Sequence, residues 1–324
     1  MTRVGVWLLL LIALLGAAAP WIAVHPPDQQ HRAYVFAPPM RPHGVGGPGS
    51  PLTVFYYPLR SEDLTLRKFT ADRDRPTPLT WLREGRLVAG DPQAPWFPLG
   101  TDSLGRDIWS RLVHGTRVSM GVASLATLGA ILLGTLVGAA AAGFGGWIDE
   151  SLMRTADLVL VLPTLYVVLA LRAAMPLVLP PATLFVLLVL VLAVAGAPQV
   201  ARGVRGIVTA EQVRDYATAA RALGATRLRV LGRHLLPATG DFLLTQALVL
   251  APSFVLAEAT LSFVGLGFNP PTASWGSMLQ EATSVRAISD FPWVLAPAAA
   301  VALVAFALTL ASEPRRNREP SLRG

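Results

Sequence analysis

Few side chains in this chain have the type and setting to do chemistry. Of its 27 basic residues only one is a lysine, Lys68, and it follows Arg67 in a polar stretch. A phosphate-cradling P-loop needs a lysine directly after a glycine, so the chain carries no such loop and any ATP hydrolysis must come from elsewhere. Schiff-base chemistry has that one candidate amine. The histidines, His25, His31, His43, His114 and His234, are scattered, and no metal or cofactor is expected from that spacing. The absence of cysteine removes disulfides, thiolate metal sites and thiol nucleophiles. Two features remain. Glu258 is a lone carboxylate in a long apolar run, and Asp102, Arg106 and Asp107 crowd a turn bracketed by Gly100 and Gly105. Both place charge; neither suggests bond-making catalysis, so the chain is not expected to be an enzyme.

The elements that must position these residues follow from composition. Hydrophobic residues make up 53% of the chain and charged residues 15%, against roughly 25% charged in soluble domains. The apolar residues fall in long runs, which predicts one all-α polytopic membrane domain. Six stretches are long enough to cross a bilayer: Val4 to Val24, Val118 to Phe144, about Ala156 to Leu171, about Thr183 to Val200, about Phe242 to Phe268, and Pro292 to Ala311. The prolines at 176, 180 and 181 mark a turn between the third and fourth.

Arginine placement sets the orientation. Residues 201–240 carry Arg202, Arg205, Arg214, Arg221, Arg227, Arg229 and Arg233, and the tail carries Arg315, Arg316, Arg318 and Arg323. With Arg3 and Arg154 these form the inside set, whereas the short outside connections hold only Arg172 and Arg286. Both termini are therefore expected in the cytoplasm, and positive-inside bias explains the basic balance better than nucleic acid does. The expected organisation is a first helix over 1–24, an extracytoplasmic loop or small cap over 25–117, a five-helix core over 118–311 with a cytoplasmic loop at 201–240, and a tail over 312–324. Residues 25–50 are rich in Pro and Gly, and 51–98 mix short apolar pieces with charge, so little helix is expected there and a β-rich cap or partial disorder stays open. The first helix also resembles a signal peptide ending in Ala17, Ala18 and Ala19. Its 21 apolar residues and Trp21 near the outer end favour a retained span.

The cytoplasmic stretch from Asp215 to Pro237 reads as two short helices around a glycine. Ala and Leu favour helix from Tyr216 to Leu223, Gly224 suits a left-handed helix end, and Pro237 can begin the next span. Tyr216, Ala220 and Leu223 fall on one face, while Thr218 and Arg221 lie elsewhere. Small side chains at Ala219 and Ala220 would admit close approach by another protein. This stretch resembles the coupling-helix motif of binding-protein-dependent ABC importer permeases: Glu-Ala-Ala, three residues, Gly, nine residues, then apolar-x-Leu-Pro. Ala219, Ala220, Gly224, Leu236 and Pro237 match at the family spacing, while Thr218 replaces the glutamate and His234 stands at the apolar position.

Three further segments carry the same resemblance. Leu99-Gly-Thr-Asp102-Ser-Leu-Gly105-Arg106-Asp107 is similar to the signature before the second span in the C-type permease subunit of dipeptide, oligopeptide and nickel importers. Its charges either pair with one another as a clamp or contact a solute-binding protein. The run from Glu258 through Gly265, Gly267, Pro270, Pro271 and Trp275 also resembles the family. Glu258 lies about 25 Å along its helix from Asp241 and must face partner groups or a wet cavity, so pathway lining or gating and a helix-to-helix hydrogen bond both stay open. Gly145 to Arg154 is the third, where Asp149 and Arg154 are expected to cap and pair a turn.

The resemblance implies a type I importer permease fold with six transmembrane helices in the cytoplasmic (inner) membrane of a bacterium or archaeon. The chain would pass peptides, peptide-like solutes or nickel chelates by alternating access. The implied partners are a second homologous permease subunit, two cytoplasmic ABC ATPase subunits and an extracytoplasmic solute-binding protein, with membrane lipid around the core. Two other readings are an ion-coupled secondary transporter, which would need more intramembrane ionisable groups, and a non-transport membrane scaffold working through residues 25–117.

Overall fold

Prolines and glycines decide where the helices of this chain start and stop. The structure, a computed structural model, describes residues 3–44, 54–63, 67–83, 85–174, 176, 179–283 and 285–312. The tail arginines Arg315, Arg316, Arg318 and Arg323 lie outside the described residues, as do the side chains of Arg3 and Arg286.

The chain opens with α1 (Arg3–Ala17) and a single further turn, α2 (Ala19–Ile22), with Pro20 in its first turn. Pro20 lacks the N–H that would continue α1, so the apolar stretch expected as one span is a 15-residue helix plus a turn. Among the described residues three two-stranded antiparallel sheets follow. They pair β1 (Phe55–Tyr56) with β4 (Thr77–Pro78), β2 (Leu59–Asp63) with β3 (Lys68–Ala71), and β5 (Thr80–Arg83) with β6 (Arg86–Ala89). The long helix α3 covers Ile108–Phe144 and begins ten residues before the apolar run at Val118.

Next come α4 (Gly146–Val161) and α5 (Thr164–Ala173), which meet at 81°. A single span was expected here. Pro163 forbids helical geometry to the residue before it, and Leu162 is accordingly extended. The following helix α6 runs from Pro181 to Glu211, and α7 (Asp215–Ala222) and α8 (Arg227–Val230) flank Gly224. A π turn at Leu231–Leu235 and a 3-10 turn at Leu236–Thr239 lead into α9 (Gly240–Phe263). The chain continues through α10 (Trp275–Glu281) and α11 (Val285–Asp290) to α12 (Ala296–Ser312). Among the described residues four segments are long and apolar enough to cross a bilayer: Ile108–Phe144, Pro181–Glu211, Arg227–Phe263 and Pro292–Ala311. The bent pair α4 and α5 would make a fifth.

Two compact units emerge. The first comprises residues 3–7, 122–256 and 305–312. Its α6 buries Leu184, Leu188, Leu192, Gly196, Val200, Val204 and Val208, one residue every four, while Val186, Leu190 and Val194 stay exposed as a lipid-facing side would. Gly134 and Gly138 of α3 lie against the backbone of Ala197 and Ala201, a small-residue seam of the kind that lets membrane helices approach closely. Gly5 of α1 lies against the backbone of Ala307 and Ala311 of α12 in the same way.

The second unit comprises residues 8–121 and 257–304. One core gathers Val24, Met40, Tyr56, Leu79, Trp96 and Phe97; another gathers Phe36, Ile108, Met278, Ala282 and Val294. Tyr56 is fully buried, donates to the Ala94 carbonyl and accepts from the Asp91 N–H at 3.0 Å. Burial pushes its phenol up to about 12, so this hydroxyl stays a donor across the physiological range.

Candidate functional site

Three arrangements hold the residues singled out by sequence, and each lies within one unit. The first is built on α7. Leu223 ends the helix, and Gly224 takes the left-handed conformation, φ +83°. The Ala225 N–H then reaches back to the Ala220 carbonyl at 3.1 Å and the Gly224 N–H to Arg221 at 3.0 Å, which satisfies two of the free helix-end carbonyls. The helix is tied down from one side only. Ala217 is its buried residue, Tyr216 donates to Glu211 of α6 at 2.6 Å, and Arg221 donates to the Gln212 carbonyl. Gln212 in turn donates to the Ala142 carbonyl of α3 at 2.8 Å, which couples the base of α7 to the end of a spanning helix. The hydrogen bond to the Glu211 carboxylate holds the Tyr216 phenol above its ordinary pKa.

The other side is open. Thr218, Ala219, Arg221 and Gly224 are exposed, and Leu223 is 88% exposed. Ala220, expected on an apolar face with Tyr216 and Leu223, is half-buried. Thr218 turns its hydroxyl back onto the Asp215 carbonyl at 2.9 Å, so at the position of the family glutamate there is neither a charge nor an outward-directed donor.

The second arrangement is the clamp before and within α3. Arg106 donates to Asp102 at 2.8 Å and to Glu281 of α10 at 2.5 Å. Arg111 donates to Asp102 and holds Glu281 with both terminal nitrogens, at 2.6 and 3.1 Å. Two guanidinium groups and two carboxylates thus form a closed, neutral and nearly dry network, the condition under which buried charges are tolerable. Asp102 also accepts from the N–H groups of Leu104 and Arg106, at 2.8 and 3.0 Å, which fixes the turn. In that turn Gly105 has φ +73° and stands against the His31 carbonyl, where a Cβ has no room.

The sequence placed Asp102, Arg106 and Asp107 in one cluster, and Asp107 behaves differently. Its carboxylate accepts from the N–H groups of Trp109 and Ser110, at 3.3 and 3.1 Å, and so caps the free donors at the start of α3. His25 comes within 3.6 Å of it, and the His31 ring lies edge-on to His25 at 4.9 Å. Burial and the neighbouring His25 hold the His31 pKa below its ordinary value. Glu281, the fourth member of the clamp, was not singled out by sequence; its signal is that it is the one acid between Glu258 and Asp290.

The third arrangement surrounds Glu258. Its carboxyl is fully buried; Ser262 donates to it at 2.8 Å, and the hydroxyls of Ser119 on α3 and Ser274 beside α10 interact with it too. The same serines hold backbone. Ser119 accepts from the Trp275 N–H at 3.2 Å, Ser262 accepts from the Phe268 N–H at 3.1 Å, and Ser274 forms a capping box with Ser277 at the start of α10. Gly276 sits against the Ala259 carbonyl and Ser262, so α10 lies tight on α9. Glu258 is therefore a polar junction of α3, α9 and α10 in its own unit.

At the turn after α3, Asp149 pairs bidentately with Arg205 of α6, at 2.5 and 2.6 Å, and Arg154 pairs with Glu150. The expected Asp149 to Arg154 pairing gives way because Arg154 lies one helical turn after Glu150. Among the described residues no group of three or more His, Asp or Glu side chains gathers as it would for a metal ion.

Residues 130–313 match the family described as binding-protein-dependent transport system inner membrane component, a stretch that includes α7, Gly224 and Glu258. Residues 1–39 match the N-terminal TM domain of oligopeptide transport permease C. The chain is similar to the di/tripeptide transport system permease protein DppC of Pseudomonas aeruginosa, 30% identical over 98% of this chain and 88% of that one. It is also similar to the glutathione transport system permease protein GsiD of Pectobacterium atrosepticum, 33% identical over 74% of this chain and 76% of that one. The chain belongs to the binding-protein-dependent transport system inner membrane components and is a permease subunit of an ABC importer.

Proposed function

We propose that this permease passes peptides or peptide-like solutes, paired with a second, homologous permease and driven by two cytoplasmic ATPases, with a solute-binding protein delivering the cargo outside. Relatives named for di- and tripeptides and for glutathione support this substrate class. In this reading both termini and the 201–240 loop are cytoplasmic, and residues 25–117 are extracytoplasmic. Hydrolysis belongs to the partner subunits, since no phosphate-binding loop exists in this sequence.

The observation that carries the reading is the one-sided mounting of α7. Its base is locked through Glu211 and Gln212, while Thr218, Ala219, Leu223 and Gly224 present a small-residue, partly apolar knob. A shove delivered to that knob by an ATPase reaches α6 and α3 through hydrogen bonds rather than through a slack loop. Alternating access then follows as these helices tilt. In the same reading Glu258 is a gating residue that sets how α9 meets α3 and α10, and the clamp keeps the α3 entry rigid while the rest moves.

The test is bulk at the knob. Ala219→Trp blocks close approach, and Gly224→Val puts a β-branched residue into left-handed geometry. Both variants should insert and pair with the second permease yet lose ATPase copurification, or lose the rise in ATP hydrolysis caused by loaded binding protein. Full transport and normal copurification by both would exclude α7 as the coupling element.

A further inference from the structure

The β5–β6 hairpin carries large apolar side chains that the protein itself leaves uncovered. Trp81 is 61% exposed and Leu82 is 79% exposed. The register sets Thr80 opposite Ala89, Trp81 opposite Val88 and Arg83 opposite Arg86, and Leu87 on the facing strand is exposed as well. Leu82 also occupies the left-handed region, φ +54°, a costly conformation for a branched side chain. Uncovered large apolar side chains, one of them at a strained position, are a poor use of a hairpin surrounded by water.

The placement of the hairpin explains the exposure. Arg86 donates to the Val24 carbonyl just past α2, and Val88 packs on the core that contains Val24. Trp109, at the start of α3, donates to the Ile22 carbonyl of α2 at 3.0 Å, so the hairpin is fixed where the first apolar helix ends. On that helix Leu10, Leu11, Leu14 and Leu15 are exposed, as lipid contacts would be, and Trp21 on α2 is exposed at its end. A tryptophan at a helix end marks the headgroup level of a bilayer.

We propose that the β5–β6 hairpin is a membrane-surface anchor, in which Trp81, Leu82 and Leu87 enter the headgroup region of the leaflet where α1 ends. It rests on the reading of 25–117 as extracytoplasmic only for which leaflet is contacted. The anchor steadies the outer segment against the bilayer while the helices beneath it rearrange.

The chain has no native cysteine, so single spin labels at Leu82→Cys and Arg73→Cys can be placed in the full-length permease, reconstituted in nanodiscs containing phosphatidylglycerol. At 82 collisions with oxygen should exceed those with a water-soluble nickel chelate, and at 73 the order should reverse. Equal or greater nickel access at 82 overturns the proposal, and so does shielding from both reagents, which would mean that protein covers the hairpin. A second measurement guards against a disturbed hairpin: Trp81→Ser with Leu87→Ser should lower oxygen access at a label on Trp21→Cys, and an unchanged value counts against the anchor. Labelling of Arg73→Cys by an impermeant reagent in inside-out vesicles but not in sealed cells would reject the sidedness, not the lipid contact, which the collision data decide alone.

Discussion

Replacing Glu258 by Gln keeps one oxygen for Ser262 and adds an amide that can still serve Ser119 or Ser274. Replacing it by Leu leaves buried hydroxyls facing hydrocarbon, at about 1–3 kcal/mol for each unsatisfied group. Glu258→Gln should therefore keep the thermal midpoint of the detergent-solubilised permease near that of the parent while slowing transport, and Glu258→Leu should lower the midpoint as well. Near-normal transport and stability in both would remove Glu258 from gating and from structure alike. His31 makes a second residue-scale case. Its folded pKa is depressed, so as pH falls through the ordinary value of 6.5 the unfolded chain takes up a proton before the folded one does, and stability declines with acidity. A midpoint measured from pH 7.5 to 5 should fall more steeply in the parent than in His31→Asn; parallel curves would show that His31 contributes nothing. Sequence pointed to Glu258 because a carboxylate stands out in an apolar run. It left His31 without a partner, since the approach of His25 and Asp107 is a product of the fold.

Among the elements, the clamp depends on α10 as much as on the turn before α3. Arg111 is almost wholly buried and shares Asp102 and Glu281 with Arg106, so Arg111→Met leaves two carboxylates to one guanidinium. Breaking a buried pair from one side costs about 3–5 kcal/mol. Arg111→Met alone should lower the thermal midpoint sharply, and adding Glu281→Leu should recover much of the loss. A double variant worse than the single one would mean that the carboxylates, not charge balance, hold the site. The turn itself was legible, because Gly100, Asp102 and Gly105 are local signals. Glu281 was not, since it lies 170 positions from Arg111 and no local periodicity records that distance. The elements divide in the same way. Gly224 and Pro237 announced the interruption around α7 and α8, and the apolar run at Pro292–Ala311 reappears as a candidate span. The break between α4 and α5 was hidden by the unbroken hydrophobicity of residues 158–162, which says nothing of the extended geometry that Pro163 imposes on Leu162.

For the whole molecule, the proposed sidedness rests on the arginine bias, and the cysteine-free background makes it directly measurable. Thr218→Cys should react with an impermeant maleimide in inside-out vesicles but not in sealed cells, and Arg73→Cys in sealed cells only. Labelling of Thr218→Cys from outside would invert the topology and remove α7 from the reach of a cytoplasmic ATPase. The close packing of Gly5 on Ala307 and Ala311 adds a matter of timing. About 300 residues separate the two partners, and at about 5–20 residues per second a ribosome needs roughly 15–60 s to make them. Throughout that interval the glycine notch of α1 stays open, and α12 fills it only late in synthesis. Biogenesis thus has a late locking step, at which a chain with a bulky residue at position 5 would have made most of its helices, yet would stay unclosed and exposed to quality-control proteases.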